Sequence, residues 1–149
     1  TTMFDFYALP QDFPGYRTAI TSTDPYQKAE IVQQALAADV ASQRFIPYIP
    51  LHEFEALLFS DIDVLCTTCN LGQKHNTELK TVRNSFTTPE HINDNPQTAP
   101  SKRILGIHSS YEKIIDGVQT AKAIGLTKLR KECLHFNSWL EKLESLASS

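Results

Sequence analysis

A chain of 149 residues, 41% hydrophobic and 21% charged, has the length and composition of one ordinary globular domain with a real core. Its net charge of −3 argues against a surface that holds nucleic acid by charge alone, while leaving room for a small basic groove or a metal-assisted contact. No apolar run approaches the ~20 residues of a bilayer span, no basic-then-apolar leader resembles a signal peptide, and the odd set Cys66, Cys69 and Cys133 reads as free thiols of a cytoplasmic protein.

The first predicted element is a strand over residues 2–8, TMFDFYA, rich in Thr and aromatics and stopped by Leu9-Pro10. Residues 9–24 hold Pro10, Pro14 and Gly15 and read as a loop. Asp24-Pro25 then opens a helix, with Asp as the cap and Pro in the first helical position. Apolar positions at Tyr26, Ala29, Ile31-Val32, Ala35-Leu36 and Val40 give residues 25–41 the period of an amphipathic helix. RFIPYI, residues 44–49, reads as a second strand, which Pro47 confines to an edge or a bulge. LHEFEALLFSD follows as a helix. Residues 66–76 are turn-like, 77–86 suit a short helix, and 87–100 form a Pro-containing loop. SKRILGI opens a further helix with Ser101 or a neighbour near its cap. Residues 112–147 read as helices broken at Gly117, Gly125 and around Cys133. The expected class is α/β: a short, mostly parallel sheet in residues 1–65, a loop-rich connection over 66–100, and a helical part over 101–149. A two-stranded pair is marginal by itself, so further sheet-forming sequence is expected upstream or from a partner. The exposed sheet edge leaves homo-oligomer formation open.

The residues able to carry chemistry fall into a few groups. Asp5 lies near the C-terminal end of a strand, where ligands of open α/β sheets bind and where an Asp can hold a divalent cation. Strand alternation equally allows a solvent-facing Asp5, with Met3 and Tyr7 on the same face. On a helix, His52 and Glu55 fall three apart on one side, with Glu53 at the start, where the dipole favours its charge. An imidazole and two carboxylates can bind a metal or move protons; acidic first turns also occur simply because they stabilise helices. The stretch lacks the second His of His-Glu-x-x-His, which excludes zinc of that kind. In NDNPQTAPSKRI, Asn93, Asp94, Ser101, Lys102 and Arg103 gather at a turn and a helix start, a place suited to phosphate or simply a solvated loop with a capping Ser. Cys66-x-x-Cys69 has no second ligand pair at zinc spacing, and no thioredoxin-like pattern surrounds it. Lys128, Arg130 and Lys131 give the last third a small basic face, and Trp139, with Leu140 and Leu143, is expected to dock the final helix on the core.

The phrases TTMFDFYALPQDFPG, FIPYIPLHEFEALLFSD and INDNPQTAPSKRIL together resemble an uncharacterised bacterial family, described only as a domain of unknown function and often encoded beside an AAA-type ATPase. That family looks like a divergent Toprim domain, akin to the nuclease half of the overcoming-lysogenization-defect (OLD) proteins. The resemblance implies a Toprim-like fold of which this chain is the C-terminal two-thirds, lacking an upstream strand that ends in a Val-Glu-Gly-x-Thr-Glu-like motif. It implies that Asp5 matches the first Asp of an Asp-x-Asp pair, with Tyr7 in the place of the second. It further implies a Mg²⁺ or Mn²⁺ site drawing on Asp5, Glu53 and Glu55, and catalytic roles for Glu53, Glu55, His52 and Lys102. Ser101, Lys102 and Arg103 then bind phosphate. The expected function is metal-dependent phosphodiester hydrolysis of DNA or RNA in the intact protein, working with the ATPase as partner in a defence-type system, without zinc, nucleotide cofactor or membrane. The alternative is a Toprim-shaped module of an ATPase complex that binds or regulates without turnover.

Overall fold

The computed structural model describes residues 1–93 and 97–147. The chain divides into two compact units: residues 1–52 with 135–149, and residues 53–134. The class is mixed α/β, mostly helical, with one two-stranded parallel sheet among the described residues.

In the first unit, β1 (Thr2–Met3) pairs in parallel with β2 (Pro47–Tyr48), Thr2 opposite Pro47 and Met3 opposite Tyr48. Both strands are shorter than the sequence suggests. Pro47 has no N–H to donate to a ladder. Beyond Phe4, whose N–H still reaches the Tyr48 carbonyl at 3.3 Å, the chain turns into a 3₁₀ helix over Phe6–Ala8. The strand therefore ends before Asp5, and Asp5, Phe6 and Tyr7 do not alternate across a sheet. The segment expected to be a loop contains one helical turn, α1 (Tyr16–Ala19). Gly15, at φ +76°, sits so close to α2 (Pro25–Val40) that an added Cβ would lie 2.7 Å from the Ala35 Cβ.

Helix α2 begins as the sequence dictates: Pro25 takes the first position and the Asp24 carboxylate accepts the Tyr26 N–H at 2.9 Å. Ala29, Val32 and Leu36 line its buried face, and the first two join Phe6, Leu9, Ala19, Ile49 and Leu51 in the core of the unit. From His135 on, α8 (Leu134–Ala147) belongs to this unit. Trp139 stacks on Tyr48 with ring centroids 4.8 Å apart, which docks the final helix as expected.

The second unit is built around the segment expected to be the LHEFEALLFSD helix. It is instead a 3₁₀ helix, Phe54–Ser60, and every residue from Glu55 to Ser60 is buried. A 3₁₀ run of this length is uncommon. It is held because Leu58 and Phe59 sit in a core with Leu65, Leu79, Ile92 and Ile104. Asp61 caps α3 (Ile62–Thr68) by accepting the Val64 N–H at 3.1 Å. The turn-like and short-helix segments resolve into α4 (Gln73–Asn84). A 3₁₀ turn at Pro89–His91 precedes α5 (Pro100–Ile107). A π-helical turn, Lys113–Gly117, runs into α6 (Val118–Ile124), and α7 (Leu126–Glu132) follows Gly125. The expected breaks at Gly125 and Cys133 are real; Gly117 marks a change of helical pitch instead. All three cysteines are free and buried. Burial pushes the Cys133 thiol up to about 12, which suppresses thiolate chemistry there.

Candidate functional site

Asp5 is half-buried and follows directly on the β1 ladder, the position from which parallel strands present ligand-binding side chains. Its side chain does not cap the 3₁₀ turn that follows. Two residues on, Tyr7 meets His52. Their rings stack at 5.7 Å, and the phenolic oxygen lies 3.3 Å from His52 Nδ1. His52 therefore does not stand on one helical face with Glu55. It lies outside the Phe54–Ser60 helix and in the first unit, whereas Glu53 and Glu55 are in the second.

In the second unit, two sequence-predicted groups come together. The Glu53 carboxylate accepts the Ser101 N–H at Oε2 and the Ser101 hydroxyl at Oε1, each at 3.0 Å. The chemistry of α5 explains this pairing. Pro100 occupies the first helical position and has no N–H, so Ser101 carries the helix's first free donor. Ala99, at the cap, has no side chain able to accept it. A carboxylate 48 residues away in sequence takes the role of the missing cap and gains from the helix dipole. Ser101 is thus a donor to a carboxylate and not the cap of its own helix. The helix start, predicted to bind phosphate, already holds a negative group.

Lys102 is exposed and makes no ion pair among the described residues. Arg103 is half-buried, and its Nε donates to the Thr98 carbonyl at 2.6 Å, which ties the preceding loop to the helix. Asp94 lies outside the described residues.

Glu55 is 2% exposed. Lys113 Nζ approaches its Oε2 at 3.1 Å, yet that oxygen has no aligned hydrogen bond among the described residues, so the contact is chiefly ionic. Lys113 also lies 5.9 Å from the centre of the Phe54 ring. Burial raises the Glu55 carboxyl above its ordinary value, against the pull of the Lys113 ammonium; the neighbouring charge of Glu53 pushes the same way as burial. The buried Tyr111 hydroxyl lacks a partner among the described residues. Burial raises the phenol, and the Glu55 charge adds to this. Tyr111 and Lys113 were not singled out in the sequence. Nothing near either residue signals Glu55, because the π-helical turn that presents Lys113 is set by tertiary packing.

The described residues contain no group of three or more His, Cys, Asp or Glu side chains placed to hold a metal. Glu53 and Glu55 are carboxylates of the kind used by an ion such as Mg²⁺, which keeps most of its waters and takes one or two protein carboxylates.

The molecule is thus a mostly helical α/β protein whose second unit joins an acidic segment to a basic helix start through Glu53 and Ser101. The family model described as Domain of unknown function (DUF4276) matches residues 1–144, and the chain belongs to that family. No curated protein and no solved structure matches the chain. None of the helices in the described residues is long and apolar enough to cross a membrane.

Proposed function

We propose that the protein is a Toprim-like phosphodiesterase acting on DNA or RNA with Mg²⁺ or Mn²⁺, beside an AAA-type ATPase partner in a defence-type system. The observation that carries this reading is the Glu53–Ser101 tie. It joins the two motifs from which the resemblance draws the acidic and the phosphate-binding residues, and because Glu53 fills the start of α5 the phosphate falls to the Lys102 ammonium beside it. Glu53 orients Ser101, and Lys102 projects next to it as an exposed cation able to meet a phosphate oxygen and stabilise charge in the transition state. Lys113 holds the Glu55 carboxylate in place. A divalent ion, when bound, supplies Lewis-acid activation of the phosphate and of the attacking water. In this proposal Glu53 and Glu55, both in the second unit, hold the metal ion.

The test is cleavage of single- and double-stranded DNA and RNA by the protein with Mn²⁺, and by its Glu53→Gln and Lys102→Ala variants. The reading expects Mn²⁺-dependent cleavage, lost in Glu53→Gln and slowed at least ~100-fold in Lys102→Ala. No cleavage of any substrate by the wild-type chain contradicts it.

One observation favours a second reading, a module that binds or regulates without turnover. Each carboxylate of the second unit's pair already has an internal partner, Ser101 for Glu53 and Lys113 for Glu55. On this reading, association with the ATPase survives Glu53→Gln and Lys102→Ala while no variant cleaves nucleic acid.

A further inference from the structure

The first unit contains a hollow of about 240 Å³ between α2, β2 and α8, lined by none of the residues of the candidate site. Its volume lies below the ~300–1,000 Å³ of pockets for drug-sized ligands, which points to a small occupant. Tyr26, His135 and Trp139 supply flat aromatic walls. Two of these walls are tied to neighbours. Trp139 is stacked on Tyr48, His135 packs against Tyr48 at 5.2 Å, and His135 Nε2 donates to the Ile49 carbonyl at 2.9 Å.

The polar lining is ordered in a particular way. The Ile49 N–H, a donor, is 3.0 Å from the Gln33 oxygen. That bond fixes the orientation of the carboxamide, and among the described residues the Gln33 NH₂ donates to nothing. Glu30, one helical turn earlier, accepts the Gln34 amide at 3.1 Å on Oε1 and keeps its other oxygen open. Lys142 makes no ion pair among the described residues. A second hollow, of about 220 Å³, shares Glu30, Gln33 and Lys142 with the first. A donor beside a two-oxygen acceptor, between aromatic walls and with a free ammonium where the two hollows meet, makes a specific combination.

We propose that this groove binds a guanine nucleotide. The Watson–Crick edge of guanine presents one acceptor, O6, followed by two donors, N1–H and N2–H. Gln33 NH₂ donates to O6 and the Glu30 carboxylate accepts from N1–H and N2–H. The base lies against the aromatic walls, as bases do on protein aromatics. Lys142 pairs with the phosphate, and the sugar, attached at N9 on the opposite edge of the base, leaves the first hollow on the side away from Glu30 and Gln33. Adenine reverses the donor–acceptor order at the first two positions and has no donor at the third, so it pairs less well. The same chemistry arises from a free mononucleotide or from a guanine within a single strand. The inference rests on the first unit alone and does not depend on the phosphodiesterase reading.

Trp139 is the sole tryptophan of the chain, so its fluorescence reports this groove directly. The experiment titrates the protein with GMP, AMP, CMP, guanosine and inorganic phosphate, following Trp139 emission and, in parallel, heat by calorimetry. Saturable binding of GMP is expected, about tenfold or more tighter than AMP or CMP. Glu30→Gln, at an exposed position, is expected to weaken GMP about tenfold or more without changing the far-UV circular dichroism. Lys142→Met weakens GMP but leaves guanosine unchanged. A short oligonucleotide with one guanine separates the sources: tighter binding than GMP indicates a strand, weaker binding a free nucleotide. No saturable response to either guanine ligand, equal affinity for all bases, a GMP response matched by inorganic phosphate, or an unchanged Glu30→Gln overturns the proposal.

Discussion

Removing the Glu53 carboxylate tests whether a distant side chain caps α5. Glu53→Ala deletes two hydrogen bonds of 3.0 Å, one to a backbone N–H and one to a hydroxyl. A bond to a charged acceptor contributes about 1.5–3 kcal/mol, and loss of an ordinary N-cap about 0.5–2 kcal/mol. Glu53 is half-buried, so solvent screening places its loss near the lower end, about 1.5–2 kcal/mol. Ser101→Ala removes only the hydroxyl bond and is expected to cost about 0.5–1 kcal/mol. The two changes share an interaction, so the double variant falls short of their sum by about 0.5–1 kcal/mol. Native-state amide exchange over α5 is the suitable assay, because it reads the helix locally without assuming that the two units unfold together. Glu53→Ala speeds exchange at Ser101 about tenfold or more. Unchanged Ser101 exchange together with strictly additive single variants refutes the capping argument.

Three further predictions concern the second unit. The Glu55 carboxyl is raised in the folded state, so between its unfolded value and its folded value the native chain holds the extra proton. Stability therefore falls as pH rises through that window, and Glu55→Gln flattens this fall in urea melts recorded across the acid range. Asp61 has the opposite sign. Burial alone would raise it, but Lys128 Nζ at 2.7 Å and the Val64 N–H outweigh burial and lower it. Its contribution is present above the unfolded value and lost as pH falls through the folded one, and Lys128→Met diminishes that acid-side loss in the same melts. Gly117→Ala places a Cβ 2.7 Å from the Tyr111 hydroxyl and 3.3 Å from the Phe54 ring. Overpacking of about 1–3 kcal/mol follows, read as a lower urea midpoint, and Tyr111→Phe in the same chain recovers part of it.

The sequence disclosed what depends on neighbours a few residues apart. Asp24-Pro25 marked the start of α2 because a cap and a first-turn proline act over one turn. Gly125 and Cys133 marked helix ends for similarly local reasons. The strands were overdrawn, because β-propensity over residues 2–8 describes a pleated surface that exists only where a partner strand runs alongside, and β2 supplies just Pro47–Tyr48. LHEFEALLFSD was read with the helical period, but a buried 3₁₀ segment follows core packing over propensity. That change removed His52 from the side of Glu55 and gave it Tyr7 as a neighbour, 45 residues away. The candidate residues of the acidic and basic motifs were legible as types, whereas their partners were not. Nothing local links Glu53 to Ser101 or Glu55 to Lys113, because both pairings close long loops whose geometry is decided by tertiary contacts.

The central claim, that the acidic and basic motifs form a metal-assisted phosphate site, is tested most directly by Mn²⁺ titration calorimetry on the chain and on Glu53→Gln. The account predicts saturable Mn²⁺ binding by the wild-type chain, lost in Glu53→Gln, whose amide replaces the charged ligand. Binding unaffected by the substitution, or no binding by the wild-type chain, contradicts it.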